Sequence, residues 1–265
     1  MARWATEEAG PAIDLNADVG EGTGAGRVGD DEGLIPLITS ANVACGFHGG
    51  DPTLIRQTVE LAKRYDVRVG AHPGYPDRVG FGRRAVGTMP AEIEADVLYQ
   101  IGALRAFVEA AGMRMQHVKL HGALYHRAVE DAAVARAVAR VVTSVDRSLI
   151  LVGLAGSAIL EAGRQEGLRV AAEGFADRAY RADGRLVPRG TAGAVITDRA
   201  QALEQALGIV RGWIKSAEGT EVVLEVDTIC VHGDTPGAVE MARHLRAGLE
   251  RAGVALRPLE QVLAR

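Results

Sequence analysis

The sequence has little of several things that would mark other classes of protein. It carries only two cysteines, Cys45 and Cys230, both in predicted strands and without C-x-x-C spacing, so they read as two buried thiols in a reducing compartment. No block of lysines and arginines interrupts the chain and the formal net charge is -4, which argues against a nucleic-acid surface. The longest apolar run, Leu149 to Leu160, is broken by glycines and a serine and falls short of the ~20 residues a membrane span needs. The first ten residues lack the apolar core and small-residue cleavage site of a signal peptide, so residues 1–11 are expected to be a mobile leader and the protein cytoplasmic. There is no G-x-x-x-x-G-K-[ST] run and no kinase signature, so nothing in the chain marks a nucleotide site.

What is present is enough for one large core. The 265 residues, 48% hydrophobic and 24% charged, suit a single α/β domain over residues 12–265. One event recurs along it: an apolar strand ends in a histidine and glycines, and a helix opens. It happens at Asn42 to Pro52, which contains His48, at His72-Pro73-Gly74, at His121-Gly122 and at His232-Gly233-Asp234-Thr235-Pro236. When parallel strands alternate with helices, their carboxyl ends emerge on one face, where ligands bind. Four histidines at four strand ends suggest one site.

The first strand alternates strictly, with Asp14, Asn16 and Asp18 on one face and Ile13, Leu15 and Ala17 on the other. On a surface strand that would be a solvated face. In a closed parallel barrel both faces are covered, so an inward acidic row must serve a site or an ion-pair network. In the fourth strand His117, Lys119 and His121 share a face. An inward lysine must find a carboxylate or act as the cation of a site. The H-x-x-x-H spacing has its force on a helix; on a strand the two imidazoles lie about 13 Å apart and cannot share a metal. In the sixth strand Glu173 and Asp177 share a face.

Between these strands, Asp51 is expected to cap a helix from Pro52 with Leu54, Ile55, Thr58, Val59 and Ala62 buried. Further helices are expected over Thr88 to Ala111, Arg127 to Val142 and Asp198 to Ser216, with Asp234 capping a last one. Gly24 to Gly29 matches G-x-G-x-x-G, but the next strand follows too soon and lacks the acidic end a ribose needs, so it reads as a loop. Gly74 to Arg84 is a long loop, and its Arg83 and Arg84 are candidate clamps for a carboxylate or phosphate. Residues 254–257 are too few to count as a barrel strand. The architecture expected is an irregular seven-stranded (β/α)7 TIM-like barrel, with an open doubly wound sheet as the alternative.

Six motifs, in order, resemble those of the LamB/YcsF family: Asp14-Leu15-Asn16-Ala17-Asp18-Val19-Gly20-Glu21, Thr39 to Pro52, Gly70 to Arg84, Val118 to Tyr125, Gly174 to Gly190 and Ile229 to Glu250. The family usually has proline where this chain has Leu120, asparagine where it has His126, and a cysteine near Ala17. The resemblance implies a seven-stranded barrel related to those of glycoside hydrolases and polysaccharide deacetylases. It also implies hydrolysis of 5-oxoproline to glutamate coupled to ATP, carried out with two partner subunits; a homo-oligomer is left open. Under that reading His72 or His121 is the expected acid/base, Lys119 stabilises the oxyanion, and Asp14 with Asp177 orients them. Arg84 or Arg178 would meet the substrate carboxylate, and Asn16, Asn42, His48 and His232 are the other candidates for substrate contact. ATP is expected to be handled with the partners, and no metal ligand is assigned. The rival readings are a metal-dependent deacetylase or amidase, with Asp14 and two strand-end histidines on a divalent ion, and a noncatalytic partner subunit.

Overall fold

The structure is a computed structural model that describes residues 10–22, 29–233 and 236–264. Seven parallel strands close on themselves: β1 (Ala12–Val19), β2 (Ser40–Ala44), β3 (Arg68–His72), β4 (Met115–Lys119), β5 (Ile150–Leu154), β6 (Arg169–Phe175) and, after a small antiparallel hairpin of β7 (Trp213–Lys215) and β8 (Glu221–Val223), β9 (Thr228–Val231). The seam pairs β9 with both β6 and β1, placing Thr228 beside Asp14 and Cys230 beside Asn16. The barrel is closed, as the inward polar rows require. A two-residue β10 (Ala255–Leu256) pairs only with Ala12 and Ile13, outside the seven. The loop expected over residues 24–29 and the Asp234 cap lie outside the described residues, Gly29 excepted.

Helices cover the outside, beginning with the one-turn α1 (Asp31–Leu34). Asp51 accepts from the Thr53 and Leu54 N–H groups at 2.9 and 3.0 Å and Pro52 opens α2 (Pro52–Arg64), which buries Ile55, Thr58, Val59 and Ala62. Such a carboxylate cap is worth about 1 kcal/mol. The long α3 (Pro90–Ala110) buries Ile93, Val97, Ile101, Leu104 and Val108. Gln100 of the same face is also buried, because its amide holds both backbone groups of Gly74. Where one helix was expected over residues 127–142 there are two, α4 (Gly122–Glu130) and α5 (Ala132–Val145). The break falls at Asp131, whose carboxylate caps α5 through the Ala133 and Val134 N–H groups. A short α6 (Ala158–Gln165) follows β5. The helix expected to reach Ser216 ends as α7 (Arg199–Val210); Gly212, at φ 90°, turns the chain into the β7–β8 hairpin. At the other end of the barrel, α8 (Ala238–Arg251) is followed by α9 (Leu259–Val262), whose Leu259 packs on Ile150, Val152 and Ala171. No helix among the described residues is long and apolar enough to cross a membrane.

Every residue of β1 is buried, so both the apolar outer row and the polar inner row are shut from water. Ile13, Leu15, Ala17 and Val19 join the main apolar cluster beneath the helices. Inside, the barrel is filled with polar side chains that must satisfy one another.

Candidate active site

The inward side chains form three tiers. At the amino ends of the strands, Asp14 accepts from Thr39 Oγ1 at 2.7 Å, from Ser40 Oγ at 2.6 Å and from Thr228 Oγ1. Burial pushes its carboxyl up to about 6, against the pull of those hydroxyls. In the middle tier Asn42 donates to Asn16 Oδ1 and Asp18 Oδ1 at 2.7 and 2.9 Å. Asn42 Oδ1 accepts from His117 Nε2 at 2.7 Å, so that imidazole is held in one tautomer, and burial pulls it down to about 3. Gly70 sits against the ring: a Cβ there would lie 2.2 Å from His117.

The upper tier is charged. Lys119 Nζ lies 2.8 Å from Glu173 Oε1, 3.0 Å from Asp18 Oδ1 and 3.1 Å from Cys230 Sγ. Burial alone would lower this amine, but Asp18, Cys230 and Glu173 hold it well above its usual range. Glu173 also accepts from Tyr125 Oη at 2.8 Å. Burial opposes ionisation of Asp18, and the neighbouring His72 and Lys119 outweigh it, leaving the carboxyl well below its ordinary range. His72 Nε2 is 3.4 Å from Asp18 Oδ2 and 3.0 Å from His121 Nδ1. His121 in turn stacks on His48 with ring centres 3.7 Å apart. Gly82, at φ +64°, passes so close that a Cβ would meet the His121 ring and the His48 methylene. Burial, then the charges of His121 and His72, keep His48 well below the ordinary imidazole range.

Across the mouth, His232 Nδ1 lies 2.8 Å from Asp177 Oδ2, and its ring stacks on Phe175 at 5.4 Å. Burial opposes ionisation of Asp177, but His232 draws its carboxyl below the usual value. This is the arrangement of an imidazole whose tautomer is fixed by a carboxylate so that its other nitrogen can accept or give a proton.

The upper tier opens into a cavity of about 630 Å³ whose lining includes Asp18, His72, Lys119, His121, Tyr125 and His232. Six arginines also line it: Arg83, Arg127, Arg178, Arg181, Arg185 and Arg189. Arg178 is buried, donates to the Ala194 and Val187 carbonyls, and is pulled down to about 10 by burial and by Arg189 beside it. His126 is drawn to about 4 by burial and by the same two arginines. Glu130 also lines the cavity and pairs with Arg185, and Arg127 and Arg181 pair with Asp131 and Asp183, so it is the wall at Arg178 and Arg189 that suits an anion.

Of the residues expected from the sequence, His72, Lys119, His121, Arg178 and His232 line this cavity, with Asn16, Asn42 and His48 packed beneath or behind them. Three expectations are corrected. Asp14 touches none of His72, His121 or Lys119; its partners are three hydroxyls in the lowest tier, because strand geometry puts it four residues below Asp18. It is equally remote from the role of metal ligand given it in the deacetylase alternative. Asp177 does orient an imidazole, but that of His232. Arg84 points away into a bidentate pair with Asp77 while its neighbour Arg83 lies over the Phe81 ring and lines the cavity. Asp18, Glu21 and Glu173 are not among the site residues expected from the sequence, although the same alternation that singles out Asp14 and Asn16 contains Asp18.

Comparison with known proteins gives a consistent picture. The model of the LamB/YcsF family matches residues 13–264. A relative from Chloroflexus aggregans, the A subunit of 5-oxoprolinase, is 56% identical over 93% of this chain and 98% of its own. The crystal structure of a lactam utilization protein from Thermus thermophilus superposes with a TM-score of 0.89 at 50% identity, covering 93% of this chain and 99% of that one. A putative cellobiose-phosphate cleavage protein from Enterococcus faecalis shares the fold alone, at a TM-score of 0.57 and 15% identity, covering 95% of this chain and 98% of that one.

Proposed function

The chain belongs to the LamB/YcsF family, and from that membership and the cavity we propose that it serves as the A subunit of an ATP-dependent 5-oxoprolinase, opening the lactam of 5-oxoproline to give glutamate. The observation that carries this reading is the 56% identity, over nearly all of both chains, to a protein that bears that name. The chain is then a hydrolase acting on a cyclic amide, and its partners are the other subunits of the enzyme.

A five-membered lactam is an unactivated amide. Opening it requires a water made nucleophilic, an electrostatic partner for the oxyanion and a proton for the departing nitrogen. His232, set by Asp177, is the group we assign to the proton transfers. The ring nitrogens of His72 and His121, first expected in that role, each already have a neighbour within 3.4 Å. Lys119 is matched by Asp18 and Glu173, so it fixes those carboxylates, and we assign Arg178 and Arg189 on the cavity wall to substrate charge.

Arg127, Arg181 and Arg185 pair with Asp131, Asp183 and Glu130, while Arg178 and Arg189 lie beside each other on the wall, and such a pair supports a substrate bearing a second anionic group. A lactam phosphorylated on its oxygen fits, made with ATP at the partner subunits, since the sequence of this chain carries no G-x-x-x-x-G-K-[ST] run and no kinase signature. Water adds to the ring carbon of that species, and the C–N bond breaks as the nitrogen is protonated. The resulting acyl phosphate of glutamate yields glutamate and phosphate to a second water. The test is glutamate release from 5-oxoproline, with and without ATP, by this chain alone and with the two partner subunits from the same source. Release only in the complete mixture is expected. ATP-independent release of acetate from N-acetylated sugars, with 5-oxoproline untouched, would favour the deacetylase reading.

A further inference from the structure

The lone pairs at His72 and His121 do not balance on protein atoms. His72 Nδ1 lies 2.8 Å from the Lys119 carbonyl oxygen, and His121 Nε2 lies 2.8 Å from that of Phe81. A carbonyl only accepts, so each of these nitrogens carries its proton. His72 Nε2 and His121 Nδ1 are then left as two acceptors facing each other at 3.0 Å. Two bare lone pairs at that separation repel unless a positive charge sits between them.

Two further donors complete the group. Glu21 Oε1 is 3.3 Å from His121 Nδ1 and 3.4 Å from His48 Nε2. His48 is 1% exposed, and neither of its ring nitrogens has a hydrogen-bond partner among the described residues. One atom from each of Glu21, His48, His72 and His121 lies within 4.8 Å of all the others. Around an ion at the 2.0–2.1 Å bond lengths of zinc, the edges of a tetrahedron measure about 3.3 Å. The separations of 3.0, 3.3 and 3.4 Å are close to those edges.

We propose that Glu21, His48, His72 and His121 bind a divalent transition metal ion of zinc-like preference, with the His48 ring turning out of its stack on His121 so that both in-plane lone pairs meet the ion. Three imidazoles with one carboxylate disfavour calcium and magnesium, which take oxygen ligands. The carbonyls of Lys119 and Phe81 behind His72 and His121 are the outer partners that ligating imidazoles ordinarily have. The ion would tie together the ends of β1, β2, β3 and β4 and, through Phe81, the loop over the mouth. The inference stands on these donors alone and not on the lactam reading, so either can fail without the other.

The rival arrangement is a proton on one imidazole, shared between His72 and His121 beside Glu21. To separate them, the folded full-length chain is purified without chelator or metal-affinity resin and its metal content measured by mass spectrometry. The stripped protein is then titrated with Zn²⁺ against a chromophoric chelator and separately with Co²⁺. The expected result is about one Zn²⁺ per chain with Kd below about 1 µM and the strong visible bands of tetrahedral Co²⁺. His48→Gln and Glu21→Gln should each weaken Zn²⁺ binding at least about 100-fold, with circular dichroism confirming the fold, while His244→Gln leaves it unchanged. Absence of saturable Zn²⁺ binding by the folded wild type overturns the proposal, as does undiminished binding by both folded ligand variants.

Discussion

Lys119 and Asp14 are both inward, charged and buried, yet they differ in what surrounds them. Lys119 is matched by two carboxylates, whereas Asp14 accepts from three hydroxyls and pairs with no cation among the described residues, and burial, with the Glu173 carboxylate adding to it, raises it to about 6. Because this folded-state value lies above the 3.8 of a free aspartate, the native state holds a proton that the unfolded chain releases first. The contribution is fully present below pH 3.8 and is lost as pH rises through about 6. The stability of the wild type relative to Asp14→Asn should therefore fall by about 2 kcal/mol between pH 4 and pH 7, read from urea unfolding at each pH. A flat difference would show that Asp14 is ionised throughout. At this scale the sequence was partly legible. Alternation showed that Asp14, Asn16 and Asp18 point inward, but it could not show depth along the barrel, and depth is what separates Asp14 from the site. Glu21 was harder still, since it follows the strand and only the folded loops bring it to His48 and His121.

The elements were legible where periodicity was strong. The α2 stripe, its Asp51 cap and the long α3 follow from spacing and capping chemistry alone. The boundary at Asp131 was missed because the alanine- and valine-rich surroundings suit a helix on both sides of it, and only the cap geometry marks the break. The Gly74 to Arg84 loop was recognised as long and polar, but which of its two adjacent arginines turns inward depends on Asp77, which captures Arg84. Accordingly, Arg84→Ala should change KM and kcat less than about twofold, while Arg178→Lys should raise KM about tenfold with kcat nearly unchanged; steady-state kinetics of the reconstituted enzyme decide it. Gly70 gives a prediction of another kind. A methyl group there would overlap the His117 ring, so Gly70→Ala should cost about 1–3 kcal/mol and lower Tm, visible by calorimetry.

For the whole molecule, the polar rows running through strands from β1 to β9 demanded closure, since an open sheet would leave many of them unmatched. The closed barrel then gives its two ends different roles. At one mouth α9 and the Asp14 tier form a seal, and the histidines, Lys119 and the arginine rim occupy the other. Beyond Arg83 and Arg178, the arginine rim was not legible, because Arg127, Arg181, Arg185 and Arg189 come from a helix and an irregular segment whose convergence no local pattern records. In the proposed reaction this chain opens the lactam ring, with His232, oriented by Asp177, moving the protons. The most direct test measures glutamate formation from 5-oxoproline and ATP by the complete complex containing either the wild-type chain or His232→Gln, with assembly checked by size-exclusion chromatography. A loss of at least about 100-fold in glutamate formation by an intact complex is predicted. A loss of less than about tenfold, with assembly unchanged, would contradict it.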